Sequence, residues 1–447
     1  MPMANRRNRH ARRGLATVLL ALSVIVAGCG QPKPPPPAVD YDASVATAWF
    51  DLLLDLVQHT PGYTPPVASR AFAYAGITLY EAVAPGMPGY QSLVGQLSGL
   101  PPLPQPTPGE VYHWPTVANS ALATLVRKFF SHAPAEHLAA INSLEDQFVY
   151  RFRQTLEPPV FSRSAGHGQL IGYAIYIWST SDGGLDGELR NFPTYYTPPS
   201  GPGKWTPTAP KYQSAMLPSW GGNRLFALQS GGECDPGAPL PYSEEPASAF
   251  YQEALEVYNT VTSLTPEQSA IARFWADDPG ATATPPGHSI SILSQVLKNR
   301  NASLDVAAEA YAKVGMAVAD AFIGCWRAKY EHNLIRPISY IQNVIDPNWT
   351  SPVTTPPFPE YTSGHSVQSA AAAQVMTDLF GEDFVFTDHT HDKHGLEPRT
   401  FHSFFDAANE AAISRLYGGI HFRTAIEKGL EQGKCIGQKV SAIRFKK

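Results

Sequence analysis

Apolar residues along this chain recur mainly at the three- and four-residue intervals of a helix rather than in the alternation of a strand. Val45, Trp49, Leu52 and Leu56 form one such face after Ser44, a residue type that caps helices well. Helical spacing continues over residues 67–84 and 116–157. From 183 to 246 it is broken by Gly, Pro, Tyr and Trp, and so long an irregular stretch is uncommon unless it covers a cleft or carries function. Helices resume near residue 247. Thr265-Pro266-Glu267-Gln268 predicts a helix start, with a capping Thr, Pro in the first turn and Gln three residues on. Ser303 opens a long helix that carries Lys329 near its end. Helices follow over 366–380 and 407–417, Gly418-Gly419 turns the chain, and a last helix runs to about residue 440. The pattern predicts an all-α fold, a helical bundle with long irregular loops.

The first residues read as an address. Arg6, Arg7, Arg9, Arg12 and Arg13 precede a short apolar run, Leu15 to Ala27, which is too short for a mature span and suits a signal peptide. The run ends in Val26-Ala27-Gly28-Cys29, similar to a bacterial lipobox, in which Cys29 would become the acylated N-terminus. Gly30 to Val39, rich in proline, then reads as an extended spacer. The expected organisation is a lipoprotein signal over 1–29, a Pro-rich linker over 30–43, an N-terminal helical region over 44–246 and a C-terminal helical catalytic region over 247–447. A net charge of −5 without long basic runs argues against nucleic acid as a partner. Cys234, Cys325 and Cys435 are too few for a disulfide scaffold; an exported chain can form one pair, and spacing does not say which. Cys325 falls inside a helical pattern and reads as a buried free thiol.

Three stretches hold the candidate chemistry: Lys329 with Arg336-Pro337, Ser363-Gly364-His365, and Ser414-Arg415 with His421. They supply three cations, a hydroxyl, a glycine amide and two imidazoles. A small, multiply charged oxyanion needs such a set, because buried charge must be paired from several sides. Arginine forks match adjacent oxygens, lysine adds a compact charge, and glycine admits close approach of a backbone N–H. One imidazole can bond the central atom while the other moves protons. Ser363-Gly364-His365 opens a predicted helix, whose orphan N–H groups favour an anion. His389, His391 and His394 offer a rival metal-binding spacing, but their acidic setting, Asp388 to Asp392, reads as a polar surface loop.

These three stretches resemble the signature of the vanadium-dependent haloperoxidase and type 2 phosphatidic acid phosphatase superfamily, with Thr362 where proline usually precedes Ser-Gly-His. The resemblance implies two stacked four-helix bundles. It implies that His421 bonds vanadium, or attacks phosphorus in the phosphatase branch, and that His365 is the acid–base residue. Lys329, Arg336, Ser363, Gly364 and Arg415 would bind the oxyanion. Pro356-Pro357-Phe358-Pro359-x-Tyr361 and Trp326 resemble residues of vanadium chloroperoxidases, which implies a halide-side wall of Trp326 and Phe358. Composition alone reads both as core aromatics equally well. Phe274-Trp275-Ala276-Asp277-Asp278 is similar to a segment whose aspartate pairs with the arginine, here Arg415; Asp278 is the better match, with Asp277 beside it.

The function expected is an exported, membrane-anchored haloperoxidase that uses vanadate, with hydrogen peroxide and a halide or small organic molecule as substrates. The alternative is an acid phosphatase acting through a phosphohistidine, with phosphate in place of vanadate. A binding protein without turnover would need cations and donors but not the pair His365 and His421. Cys29→Ser is expected to release the full-length protein from membranes. Fractionation after detergent-free washing checks this, and persistent association would count against lipidation.

Overall fold

The computed structural model describes residues 36–447; the signal segment and Cys29 lie outside the described residues. Residues 35–447 form one compact unit. Its helices are α1 (Ser44–His59), α2 (Pro65–Val83), α3 (Trp114–Phe129), α4 (Ala135–Arg153), α5 (Pro158–Ser179), α6 (Ala249–Thr262), α7 (Pro266–Phe274), α8 (Thr284–Asn299), α9 (Leu304–His332), α10 (Pro337–Val344), α11 (Gly364–Phe380), α12 (Phe404–Tyr417) and α13 (Arg423–Ser441). Among the described residues one antiparallel pair of strands, β1 (Phe386–Asp388) with β2 (Arg399–Phe401), interrupts an all-α architecture. None of the described helices is long and apolar enough to cross a membrane.

The helical stretch expected over 116–157 is two helices. Pro134 lacks an N–H and restricts Ala133 away from the helical region, so α3 ends at Phe129 and α4 starts after Pro134. Helix α5 was not anticipated, although Pro158 and Pro159 in its first turn are a start signal. The α7 start has the expected capping box: the Thr265 hydroxyl accepts from Gln268 N, and the Gln268 side chain accepts from Thr265 N.

Helices α9, α11, α12 and α13 pack as one bundle, and α2 lies along α9 on its other side with α3 and α5 beyond it. Small residues set these distances. A Cβ on Gly433 would sit 2.1 Å from the Val367 carbonyl oxygen, and one on Gly76 would sit 2.4 Å from that of Tyr311. Side chains there would push α13 off α11 and α2 off α9. The core around α9 is correspondingly dense, with Tyr311, Phe322 and Trp326 all buried.

The stretch 183–246 is irregular apart from short 3-10 turns, and it is fastened to the body. The buried Asp320 carboxylate of α9 accepts the amides of Phe226 (2.8 Å), Ala227 (2.8 Å) and Leu228 (3.3 Å). Arg70 of α2 binds Asp182 at 2.7 Å. A disulfide joins Cys234 to Cys435 of α13, which settles the pairing, and Cys325 is a buried free thiol. Asp320→Ala leaves three amides without their acceptor and is expected to cost about 3 kcal/mol. Calorimetric melting checks it, and an unchanged Tm would show that the long segment is held by other contacts.

Candidate active site

The site is assembled from segments that the bundle brings to one end. Helix α9 delivers Lys329 in its last turn, Asn333 (φ 50°) ends the helix, and Arg336 is the cap of α10. Ser363 caps α11, its hydroxyl accepting from Ser366 N, and its own N–H donates to the Ala425 carbonyl. Arg415 ends α12, and Gly419 (φ 72°) turns the chain so that His421 faces back toward Arg336.

A cavity of about 450 Å³ lies there, with Gly364, His365, Arg415 and His421 in its wall. Trp326 and Phe358 line it as well, their rings 4.8 Å apart, and Phe322 extends this apolar side. The long irregular stretch does cover the cleft: Lys211 and Met216 reach the cavity, and Met216 N is bonded to the Pro357 carbonyl.

His421 is buried and oriented at both nitrogens. Nδ1 lies 2.9 Å from Glu360 Oε1, and Nε2 lies 3.2 Å from Arg336 Nη1. An arginine can only donate, so Nε2 presents its lone pair and Nδ1 carries the proton. Burial first, then Arg336, Lys329 and Arg415, hold this imidazole well below its usual range, so it stays neutral. Glu360 also accepts Phe422 N at 2.8 Å. Burial pushes its carboxyl up to about 8, against the pull of Arg336. The sequence reading passed over Glu360, which occupies the unassigned position of Pro356-Pro357-Phe358-Pro359-x-Tyr361. Its partner is sixty-one residues away, so no local pattern could have marked it.

Arg336 donates from Nε to the Phe358 carbonyl and from Nη1 to the Ile420 carbonyl, both at 2.8 Å. Its Nη2 is buried without a partner. Arg415 donates from Nη1 to the Trp275 carbonyl at 2.6 Å, and its Nε is likewise buried and unpartnered. Burial lowers both guanidinium groups to about 10. Asp278 lies at the cavity rim and favours the charge on Arg415, but it makes no direct ion pair with it among the described residues. The direct partner of Arg415 is therefore a backbone carbonyl rather than the expected carboxylate. His365 is held neutral by burial and by Arg415, the Trp275 backbone supports its protonated form, and its Nε2 is buried without a partner.

One expected oxyanion ligand stands differently. Lys329 is fully buried, and its ammonium donates to the carbonyls of Pro359 (3.0 Å), Glu360 (2.9 Å) and Thr362 (2.5 Å). Its three hydrogens thus brace the segment that carries Glu360 and Ser363, and burial lowers it to about 8. The Ser363 hydroxyl accepts from Ser366 N as the α11 cap, which leaves its own O–H free to donate.

A second histidine cluster lies behind the Trp275–Asp278 segment. His288 is clamped between Asp277 (2.8 Å) and Asp388 (2.7 Å), and His391 approaches Asp277 at 3.2 Å. His391 is 2% exposed, so the reading of 388–394 as a polar surface loop is corrected: His389 stays outside, but His391 turns inward. Two carboxylates exclude an oxyanion from this cluster. The groups that fit one gather at the cavity: Arg415 in its wall with an unpartnered Nε–H, neutral His421 beside it, Arg336 outside the lining but against His421 Nε2 with an unpartnered Nη2, and Gly364, where a Cβ would find its first neighbour 3.9 Å away.

Fold and site together define a vanadium haloperoxidase-type protein. A family profile described as the VCPO second helical-bundle domain matches residues 309–446. The solved structure of a bacterial vanadium-dependent iodoperoxidase is 38% identical, with 92% of this chain and 98% of that one covered at a TM-score of 0.82. A bacterial vanadium-dependent chloroperoxidase shares the fold at a TM-score of 0.66, with 16% identity. The vanadium chloroperoxidase of Curvularia inaequalis is 29% identical over 140 residues, a match spanning 26% of this chain and 23% of the fungal protein. The chain belongs to the vanadium-dependent haloperoxidase family.

His421→Ala is expected to abolish vanadate retention with the helical content unchanged, and Glu360→Ala to weaken it about 10–100-fold by freeing the His421 ring. Glu360→Gln, which keeps an acceptor for Nδ1–H, should fall between Glu360→Ala and the parent. Elemental analysis after gel filtration checks the series; full retention in Glu360→Ala would remove Glu360 from the support of His421.

Proposed function

We propose that the chain is an exported, lipid-anchored haloperoxidase that oxidises halide with hydrogen peroxide, using vanadate held by His421. The observation that carries this reading is the apolar wall of Trp326, Phe358 and Phe322 on the same cavity as His365, Arg415 and His421. A purely phosphate-binding pocket needs the donors but not the wall. Vanadate in this site supplies a Lewis acid that activates peroxide toward halide. Glu360 fixes the Nδ1–H tautomer, so Nε2 is the ligating nitrogen. Arg336 and Arg415 withdraw charge from the bound anion through N–H groups that have no other acceptor. His365, neutral and with Nε2 free, takes and returns the protons of the reaction. Trp326 and Phe358 exclude water and favour a weakly hydrated halide. The 38% identity to an iodoperoxidase makes iodide the halide of choice. Export and anchoring rest on the Cys29 lipobox.

The alternative is an acid phosphatase of the same superfamily. His421 Nε2 would then attack phosphorus, the same arginines would neutralise the transition state, and His365 would protonate the leaving oxygen.

One purified preparation, stripped of oxyanions, is assayed for iodide oxidation by peroxide with and without vanadate, and for phosphomonoester hydrolysis. The expected result is oxidation that requires vanadate and exceeds phosphatase turnover. Phosphatase turnover without vanadate-dependent oxidation would overturn the peroxidase reading.

A further inference from the structure

We propose that Asp277, His288 and His391 form a site for one borderline divalent cation of the zinc class, next to the oxyanion pocket, whose wall Asp277 also lines. One oxygen or ring nitrogen from each of these residues lies within 4.8 Å of the others, and all three side chains are buried. Two features point to a missing ligand rather than to a finished ion-pair network. Asp277 Oδ1 and both ring nitrogens of His391 have no hydrogen-bond partner, although each residue is at most 3% exposed. His391 Nε2 and Asp277 Oδ1 are 3.2 Å apart without hydrogen-bond alignment. Two ligand atoms on a tetrahedral ion sit about 3.3 Å apart when each is about 2.0 Å from it. An imidazole and a carboxylate left unbonded at that separation have the spacing of neighbouring ligands.

The third ligand has its support in place. His288 Nε2 lies 2.7 Å from Asp388 Oδ2, so Nε2–H can donate outward while Nδ1, now turned to Asp277 at 2.8 Å, faces the same space. A carboxylate behind a ligating imidazole is the usual second layer of a metal centre. Asp388 is itself fixed by Thr390, whose N and hydroxyl both donate to its Oδ1. Without metal, His288 must carry protons on both nitrogens to satisfy both carboxylates. A divalent cation takes the place of the Nδ1 proton, which leaves to solvent. Two carboxylates and two neutral imidazoles then exactly offset the double charge, whereas the proton alone leaves one negative charge over.

A second cavity, about 180 Å³, reaches this cluster with Asp51, Asp55, Lys393 and His394 at its wall, which gives a cation a route in and leaves room for a water as fourth ligand. Two imidazoles with one carboxylate suit zinc, cobalt or nickel rather than calcium or magnesium, which take oxygen donors. The site would pin the β1–β2 connection to the Trp275–Asp278 segment, and so hold the Trp275 carbonyl against Arg415.

The test uses the full-length chain purified in detergent, stripped with chelator and titrated with cobalt(II). The expected result is one equivalent bound, with the visible bands of a four-coordinate nitrogen–oxygen site, and zinc displacing it. His391→Ala is expected to abolish the bands and Asp388→Asn to weaken binding about 10–100-fold. His421→Ala and His389→Ala should leave the titration unchanged. Absence of stoichiometric cobalt binding by the parent chain overturns the proposal, and that measurement does not depend on any variant folding. Binding that survives His391→Ala but is lost in His137→Ala also overturns it, because it belongs to the half-exposed group Asp55, His59 and His137.

Discussion

Burying a guanidinium without an acceptor for each N–H is costly, and this protein does so twice, at Arg415 in the cavity wall and at Arg336 against His421. Arg336 Nη2 and Arg415 Nε are both shielded from water and unpartnered. Burial works against charge throughout this site: it lowers the two arginines to about 10 and Lys329 to about 8, and it favours the neutral imidazoles of His365 and His421. Only a group that brings several negative charges into the space relieves all of these costs together. A singly charged ion would offset less of this cost than a multiply charged oxyanion does.

Holding like charges in place requires a frame that cannot relax away from them. Much of that frame is backbone oxygen. Carbonyls of Phe358, Pro359, Glu360 and Thr362 receive Arg336 or Lys329, and those of Ile420 and Trp275 receive Arg336 and Arg415. Carbonyl acceptors satisfy cation hydrogens without neutralising the charge, so the positive potential is kept for the ligand. They work only if the chain bearing them is stiff. The prolines at 356, 357 and 359 restrict that segment, and Lys329 ties three of its carbonyls to the end of α9. Lys329, as fully buried as Arg336, is thus the cation whose hydrogens are most fully committed to structure.

The helices and the three chemical stretches were legible because their signals are local. The capping box at Thr265 and the Ser363 start of α11 use residues within one turn, and the motif residues announce oxyanion chemistry by type and order. The break at Pro134 was equally local and was overridden by the apolar spacing on either side of it. What sequence could not give was contact between distant, chemically ordinary positions. Glu360 becomes the support of His421 because the turn at Gly419 brings His421 Nδ1 and Phe422 N to its carboxylate, and Trp275 matters through its carbonyl, an atom every residue has. The expected pairing of Arg415 with Asp278 shows the same limit. A charge pattern predicts that opposite charges are near each other, as they are, but not that the arginine will turn its hydrogen to a backbone oxygen instead.

The Trp275–Asp278 segment is where two oppositely charged chambers meet. On one side its Trp275 carbonyl faces Arg415 and lies against His365; on the other its Asp277 carboxylate faces His288 and His391. The Trp275 ring lies over the His288 ring at 4.4 Å, with its Nε1–H on Glu410, which precedes Arg415, the carbonyl's partner, on the same helix α12. A shift of this short segment therefore cannot occur in one chamber alone. Moving the carbonyl away from Arg415 would also pull Asp277 off His288 and lift an indole from a buried stack. The carboxylate cluster, which takes no part in binding an anion, is in this way what keeps the cationic pocket in register.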